Sequence, residues 1–261
     1  MCKRLSTVLA AFGLISGVFA EAGMSAAPSE EAKKCFNTAV EAVKASDTTR
    51  AISSYEEAIK ASPEYLDAHV NVGAIYYAQG KVDLAASHIE AAARIDSTNA
   101  KNFKDLGTLY TQAGKFDQAS AALSKLAPLD PTSAASGWFA LGGAKKKKGD
   151  VAGARSSYEL AAKLDPSDSK PLYNLGNIHK DAREFVEAIA MYKRAIAVNP
   201  KYVDAYYNLA ISSHTLDMDK CVPDYEAFLK VAQGKTSWKA KVTEVQGIVK
   251  QIKDYLATKG E

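Results

Sequence analysis

Residues 138–142 read Trp-Phe-Ala-Leu-Gly and residues 172–176 read Leu-Tyr-Asn-Leu-Gly, and these two stretches set the beat of the whole chain. Gly73, Gly107, Gly142 and Gly176 stand 34, 35 and 34 residues apart. Ala51, Ala85, Ala119, Ala154 and Ala188 keep the same period, and so do Pro131, Pro166 and Pro200, with Pro63 extending the series backward. Each of the four glycine-bearing periods holds a bulky residue, a Leu-Gly pair (Val72-Gly73 in the first of them), an alanine twelve residues after the glycine, and an aromatic or aliphatic residue four further on. Spacings of three and four mark one face of an α-helix, so each period reads as two amphipathic helices. Gly80, Gly114 and Gly149 fall between them, where a glycine commonly ends a helix in the left-handed conformation. A glycine inside a helix costs about 1 kcal/mol against alanine. Its recurrence therefore implies close approach of the first helix to the second, which we expect at the alanine twelve residues on. Proline cannot continue a helix interior and so punctuates the units.

The pattern resembles the tetratricopeptide repeat family over residues 32–236. The resemblance implies an all-α, right-handed superhelical solenoid of helix-turn-helix units at 32–65, 66–99, 100–133, 135–168, 169–202 and 203–236. The end units depart from the pattern. The first has Thr38-Ala39 for Leu-Gly, and the sixth has Leu209-Ala210 with Cys221 as its small partner after eleven residues, a one-residue deletion near 216–219. Terminal units lack one neighbour, and such departures are expected there. Residues 237–257 carry Trp238, Val242, Val245, Val249, Ile252 and Leu256 on one face, widened by Ile248 and Tyr255, with lysines opposite. This reads as a helix that covers the apolar end of the sixth unit.

The chain begins differently. Lys3 and Arg4 precede Leu5–Phe19, which carries no charge, and Val18-Phe19-Ala20 offers a cleavage site. Residues 1–20 are expected to be a signal peptide directing export to a periplasm or the exterior, a bacterial envelope being the location that fits the short signal. Retention as a membrane anchor is the alternative, but the run is shorter than a spanning helix wants. No stable membrane insertion is expected after cleavage. Residues 21–31 read as a flexible lead, with Ser29 and the acidic pair Glu30 and Glu31 suited to starting a helix. Of 261 residues, 33 are basic and 30 acidic, a net charge of +3 that gives no reason to expect nucleic acid. Export would permit disulfides. Cys35 and Cys221 lie at opposite ends of the repeats, too far apart to pair with each other. Cys221 is expected in the core and Cys35 nearer the surface, open to an intermolecular bridge.

In the family, the first helix of each unit lines a concave groove. Carried over by position, the sixth residue of each unit gives Asn37, Asn71, Asp105, Ala140, Asn174 and Asn208. Asparagine both donates and accepts, so such a ladder can hold the backbone of an extended peptide. Lys101, Lys104, Phe139, Lys146, Lys170, Tyr173, Asn177 and Tyr207 join it, and His214 also faces inward. An aromatic and basic groove suits a protein or peptide with acidic and apolar side chains. The family's carboxylate clamp is incomplete, since no unit has arginine at the sixth position. Lys145–Lys148 end a helix, where cations meet the negative dipole end, and Lys146 and Lys147 are expected to face the groove.

No catalytic or metal-binding constellation is legible. His69, His88, His179 and His214 have no metal-ligand spacing, and no phosphate loop or nucleophile elbow occurs. His69 and His179 take positions where the repeat packs an aromatic. The expectation is a non-enzymatic binding module without cofactor, with envelope assembly or scaffolding as its setting. Self-assembly through end-to-end stacking into a homo-oligomer is the other reading.

Overall fold

The computed structural model describes residues 27–259, so the expected signal peptide lies outside the described residues, as does most of the 21–31 lead. Every regular element among them is helical. The helices are α1 (Glu30–Lys44), α2 (Thr48–Ala61), α3 (Leu66–Ala78), α4 (Val82–Ile95), α5 (Ala100–Ala113), α6 (Phe116–Leu126), α7 (Pro131–Lys147), α8 (Val151–Leu164), α9 (Ser169–Asp181), α10 (Phe185–Val198), α11 (Val203–Leu216), α12 (Val222–Ala232) and α13 (Lys239–Lys259). Short 3-10 turns at Met218–Lys220 and Thr236–Trp238 precede α12 and α13. The chain is an all-α helical repeat protein. It forms two compact units, one ending at Gly137 and the other beginning at Trp138.

In each unit the helices pack in sequence order. In the first, α1 packs on α2, α3 on α4 and α5 on α6, with α2 against α3 and α4 against α5. In the second, α9 packs on α10, α11 on α12 and α12 on α13, with α8 against α9 and α10 against α11. The repeated alanines Ala51, Ala85, Ala119, Ala154 and Ala188 are fully buried. Around them lies a layer of large side chains, Tyr55, Ile89, Leu123, Tyr158, Tyr192 and Tyr225, all within 3% of complete burial.

That layer, rather than the alanine, fills the space the glycines leave. A Cβ on Gly107 would meet Leu123, one on Gly142 would meet Tyr158, and one on Gly176 would meet Tyr192, each sixteen residues on. At Gly73 the backbone carbonyl of the alanine twelve residues on, Ala85, also comes to 3.4 Å. The close approach is thus mostly backbone to side chain: the missing methyl lets a leucine or a tyrosine ring lie flat on the first helix.

The turn inside each of the first five helix pairs has one residue with positive φ: Ser46, Gly80, Gly114, Gly149 and Arg183. Ser46 and Arg183 hold this conformation at φ 60° and 63° without being glycine, which the turn enforces against side-chain sterics. The sixth pair, where the sequence is one residue short, replaces the turn by the 3-10 segment Met218–Lys220, begun by the Asp217 carboxylate accepting from the Asp219 amide at 3.1 Å.

Several boundaries differ from the expected ones. The oxygen of Ser29 caps α1, which starts at Glu30, so the last residues of the 21–31 lead are helical. Pro131 opens α7 in place of closing the unit before it. Asp130 accepts from the Ser133 amide at 3.0 Å, and proline is tolerated in a first turn where its missing N–H has no partner to lose. The fourth pair therefore begins at 131, ahead of the expected 135. The final helix runs Lys239–Lys259 and not 237–257. Its Val245, Val249 and Ile252 are buried against Tyr225 and Phe228, whereas Tyr255 stands 47% exposed and does not widen the buried stripe. Each buried aliphatic contributes about 1.5–3 kcal/mol, enough in sum to hold the helix on its neighbour.

Candidate binding surface

In the second unit α9 and α11 lie side by side and bring Tyr173, Asn174, Asn177, Tyr207 and Asn208 together, all half-buried. Behind them, on α10, the Tyr192 hydroxyl donates to the Asn177 side-chain carbonyl at 2.7 Å. The same carbonyl accepts from the Asn208 amide at 2.9 Å, and that amide also donates to the Tyr173 hydroxyl at 3.1 Å. Burial holds the Tyr192 and Tyr173 hydroxyls above their ordinary pKa, so both stay protonated at neutral pH. The chain Tyr192–Asn177–Asn208–Tyr173 uses both hydrogens of the Asn208 amide. Asn174 donates back to the Lys170 carbonyl at 2.9 Å, and Lys170 itself is exposed.

Residues the sequence reading did not place here complete the surface. The Tyr202 ring packs on Tyr173 with centroids 4.8 Å apart. Tyr207 packs on Phe228 and Trp238, at 5.3 and 5.8 Å, and the Lys241 ammonium stands 5.3 Å from its centroid. By sequence alone Trp238 and Lys241 belong to the end helix, and nothing in their spacing ties them to Tyr207. At the other edge of this unit Phe139 is half-buried against Tyr158, and Lys146 reaches Asp181 at 3.5 Å. Lys147 is exposed. The His214 ring is half-buried and pairs with the Tyr225 hydroxyl at 2.8 Å.

The first unit carries the remaining positions. Asn71 donates to the Tyr55 hydroxyl of the preceding helix at 3.2 Å, and Asn37 is exposed. Lys101 meets Asp105 at 2.7 Å, and burial raises the Asp105 carboxyl despite that partner. Lys104 is exposed. The amides of Asn71, Asn174 and Asn208 thus each make an internal hydrogen bond. A ligand would meet their carbonyl oxygens or exchange for those bonds.

The histidines pack. His69 is buried, its Nε2 2.9 Å from the Pro63 carbonyl and its Nδ1 3.1 Å from Nδ1 of His88. A carbonyl only accepts, so Nε2 of His69 carries the proton and His88 donates from Nδ1. Burial depresses both. His179 is buried with Nδ1 2.6 Å from Glu184. Cys35 is half-buried and Cys221 buried, both thiols free, and Cys221 donates to the Met218 carbonyl at 3.1 Å. Among the described residues there is no group of three or more metal-ligating side chains, and no helix is long and apolar enough to cross a membrane.

The family model described as the cilia and flagella-associated protein 70 C-terminal domain matches residues 7–236. BBSome complex member BBS4 of Bos taurus is 27% identical over 191 residues, 68% of this chain and 37% of that protein. A UDP-N-acetylglucosamine–peptide N-acetylglucosaminyltransferase of Giardia intestinalis is 35% identical over 68 residues, 23% of this chain and 5% of the enzyme. The chain therefore spans about a third of the first relative's length and a small fraction of the second's. Among solved structures, the C-terminal part of a TPR repeat-containing protein from Cytophaga hutchinsonii superposes with a TM-score of 0.55 at 21% identity, covering 80% of this chain and 84% of that one.

Proposed function

The chain belongs to the tetratricopeptide-repeat family through the domain model that spans residues 7–236, and from that premise we propose that it is a non-enzymatic module that holds an extended peptide or a helix of a partner protein. The family's fold is a protein-interaction scaffold, and the proposal concerns which face of this chain acts and on what. The observation that carries it is the layer on α9 and α11, where tyrosine rings and asparagine amides lie half-open beside Lys170 and Lys241. Amide carbonyls at a spacing set by the helices suit backbone N–H groups. Aromatic faces supply area at low entropic cost, and the lysines favour acidic side chains. The stretch Lys3–Ala20 supports export before this face meets its partner, with the envelope as the setting.

The test uses residues outside the Tyr192–Asn177–Asn208–Tyr173 chain, so the fold is left intact. Lys170→Glu combined with Asn174→Ala should lower capture of the chain's partner at least tenfold while the melting temperature stays within a few degrees. Unchanged capture would refute this face as the binding site.

A further inference from the structure

A second surface, on other helix faces, lacks an internal contact that the first unit makes twice. In the first unit a tyrosine near the end of one helix donates to a glutamate twenty residues earlier, on the helix before it. Tyr76 donates to Glu56, and Tyr110 donates to Glu90 at 2.7 Å. Both tyrosines are buried, and burial holds both hydroxyls above their ordinary range, that of Tyr76 at about 12, so each is a donor at any physiological pH. The same spacing recurs in the second unit as Glu159 on α8 and residue 179 on α9, but residue 179 is histidine. Its ring turns the other way, to Glu184, at 2.6 Å.

Beside His179 lies an open groove lined by α8, α9 and α10. With Tyr110 in its wall, the equivalent groove of the first unit encloses about 290 Å³. The groove beside His179 encloses about 580 Å³. Its floor is Leu172, Leu175 and Met191. Glu159, which a tyrosine hydroxyl would meet, pairs among the described residues with Arg155 from one turn away on its own helix, at 3.2 Å. Both side chains are about half exposed, and such a pair is worth little, so giving it up is cheap.

We propose that this groove receives a tyrosine side chain of a partner protein, which takes the place that Tyr76 and Tyr110 take within the chain. The ring lies on Leu172, Leu175 and Met191 and the hydroxyl donates to Glu159. Charge fixes the flanks of that tyrosine. Arg155, Lys163 and Arg194 line the groove against Glu159 and Glu187. A neutral hydroxyl on Glu159 leaves that carboxylate charged, so three cations face two carboxylates and the groove keeps an excess of one positive charge. The partner's tyrosine therefore has acidic neighbours. The groove is separate from the α9–α11 surface, so the two proposals stand or fall independently.

The probe is the peptide acetyl-Gly-Glu-Tyr-Glu-Gly-amide, titrated into the isotopically labelled full chain and followed by amide chemical shifts. The expected result is a saturable shift confined to α8, α9 and α10. The same peptide with phenylalanine should bind roughly tenfold more weakly, the factor a hydrogen bond to a carboxylate carries. His179→Tyr should fill the groove from within and abolish the shifts while the melting temperature holds or rises. Glu159→Ala, on an exposed side chain, removes the acceptor and should erase the preference for tyrosine over phenylalanine. Absence of shifts at millimolar peptide, shifts elsewhere on the chain, or equal binding to a folded His179→Tyr variant would each overturn the proposal.

Discussion

Replacing Gly176 by alanine sets two effects of opposite sign against each other, and the structure says which wins. In a helix interior the change gains about 1 kcal/mol of propensity. The added Cβ, however, would stand 2.5 Å from Cε1 and 2.7 Å from Cδ1 of Tyr192. That ring is fully buried and its hydroxyl is tied to Asn177 at 2.7 Å, so it cannot swing aside freely. Overpacking of this kind costs about 1–3 kcal/mol. Moving the ring far enough to relieve it also strains the bond to Asn177, worth about 1 kcal/mol. The net expectation is a loss of roughly 1–3 kcal/mol in urea denaturation followed by circular dichroism. Gly247, on α13, has nothing within 4 Å of an added Cβ, so Gly247→Ala should raise stability by about 1 kcal/mol. If Gly176→Ala stabilised the chain as Gly247→Ala does, the close approach of Tyr192 would be refuted.

Three further outcomes follow from the same structure. Burial depresses the pKa values of His69 and His88 below 6.5, with Arg94 disfavouring the charged form of His69 while Glu56 favours that of His88. The neutral pair is the one the fold prefers, so its contribution is complete above about pH 6.5 and is lost as pH falls through the depressed values. Thermal melts between pH 7.5 and 5.5 should show a steeper fall for the native chain than for a His69→Gln/His88→Gln variant, and equal slopes would contradict the pairing. Arg183 sits at φ 63°, so Arg183→Gly should stabilise by about 0.5 kcal/mol, the relief of left-handed strain exceeding the entropy of the new glycine, and denaturation midpoints check this. In a Cys2→Ser chain, a thiol reagent should titrate Cys35 under native conditions and Cys221 only in denaturant, because Cys221 is buried and burial raises its thiol pKa.

The period of the glycines, alanines and prolines was enough to place the helices in pairs, because those residues answer to backbone sterics that act locally. What the period could not give was the partner of each glycine. The alanine twelve residues on shares the face, but side-chain length decides contact, and Leu123, Tyr158 and Tyr192 come nearer the glycines than Ala119, Ala154 and Ala188 do. Pro131 misled for a related reason: proline marks either edge of a helix, and only the Asp130 cap shows that it opens α7. For the candidate surface, the sequence could name Tyr173, Asn177, Tyr207 and Asn208 through the family pattern. It could not show that Tyr192, a core residue by its spacing, would supply the hydroxyl that orients two of them. Hydrogen bonds across three helices have no sequence period, and the turn of His179 toward Glu184 rather than Glu159 is a rotamer choice between two carboxylates.

The central claim is that the α9–α11 face holds the partner. The most direct measurement places a photoreactive phenylalanine analogue either at Tyr207, half-buried on that face, or at Val186, 61% exposed on α10, and irradiates intact cells producing the chain. Sequencing of the crosslinked peptides should return one partner segment, rich in acidic and apolar residues, from position 207 and not from position 186. The same segment recovered only from position 186, or no specific adduct at 207, would contradict it.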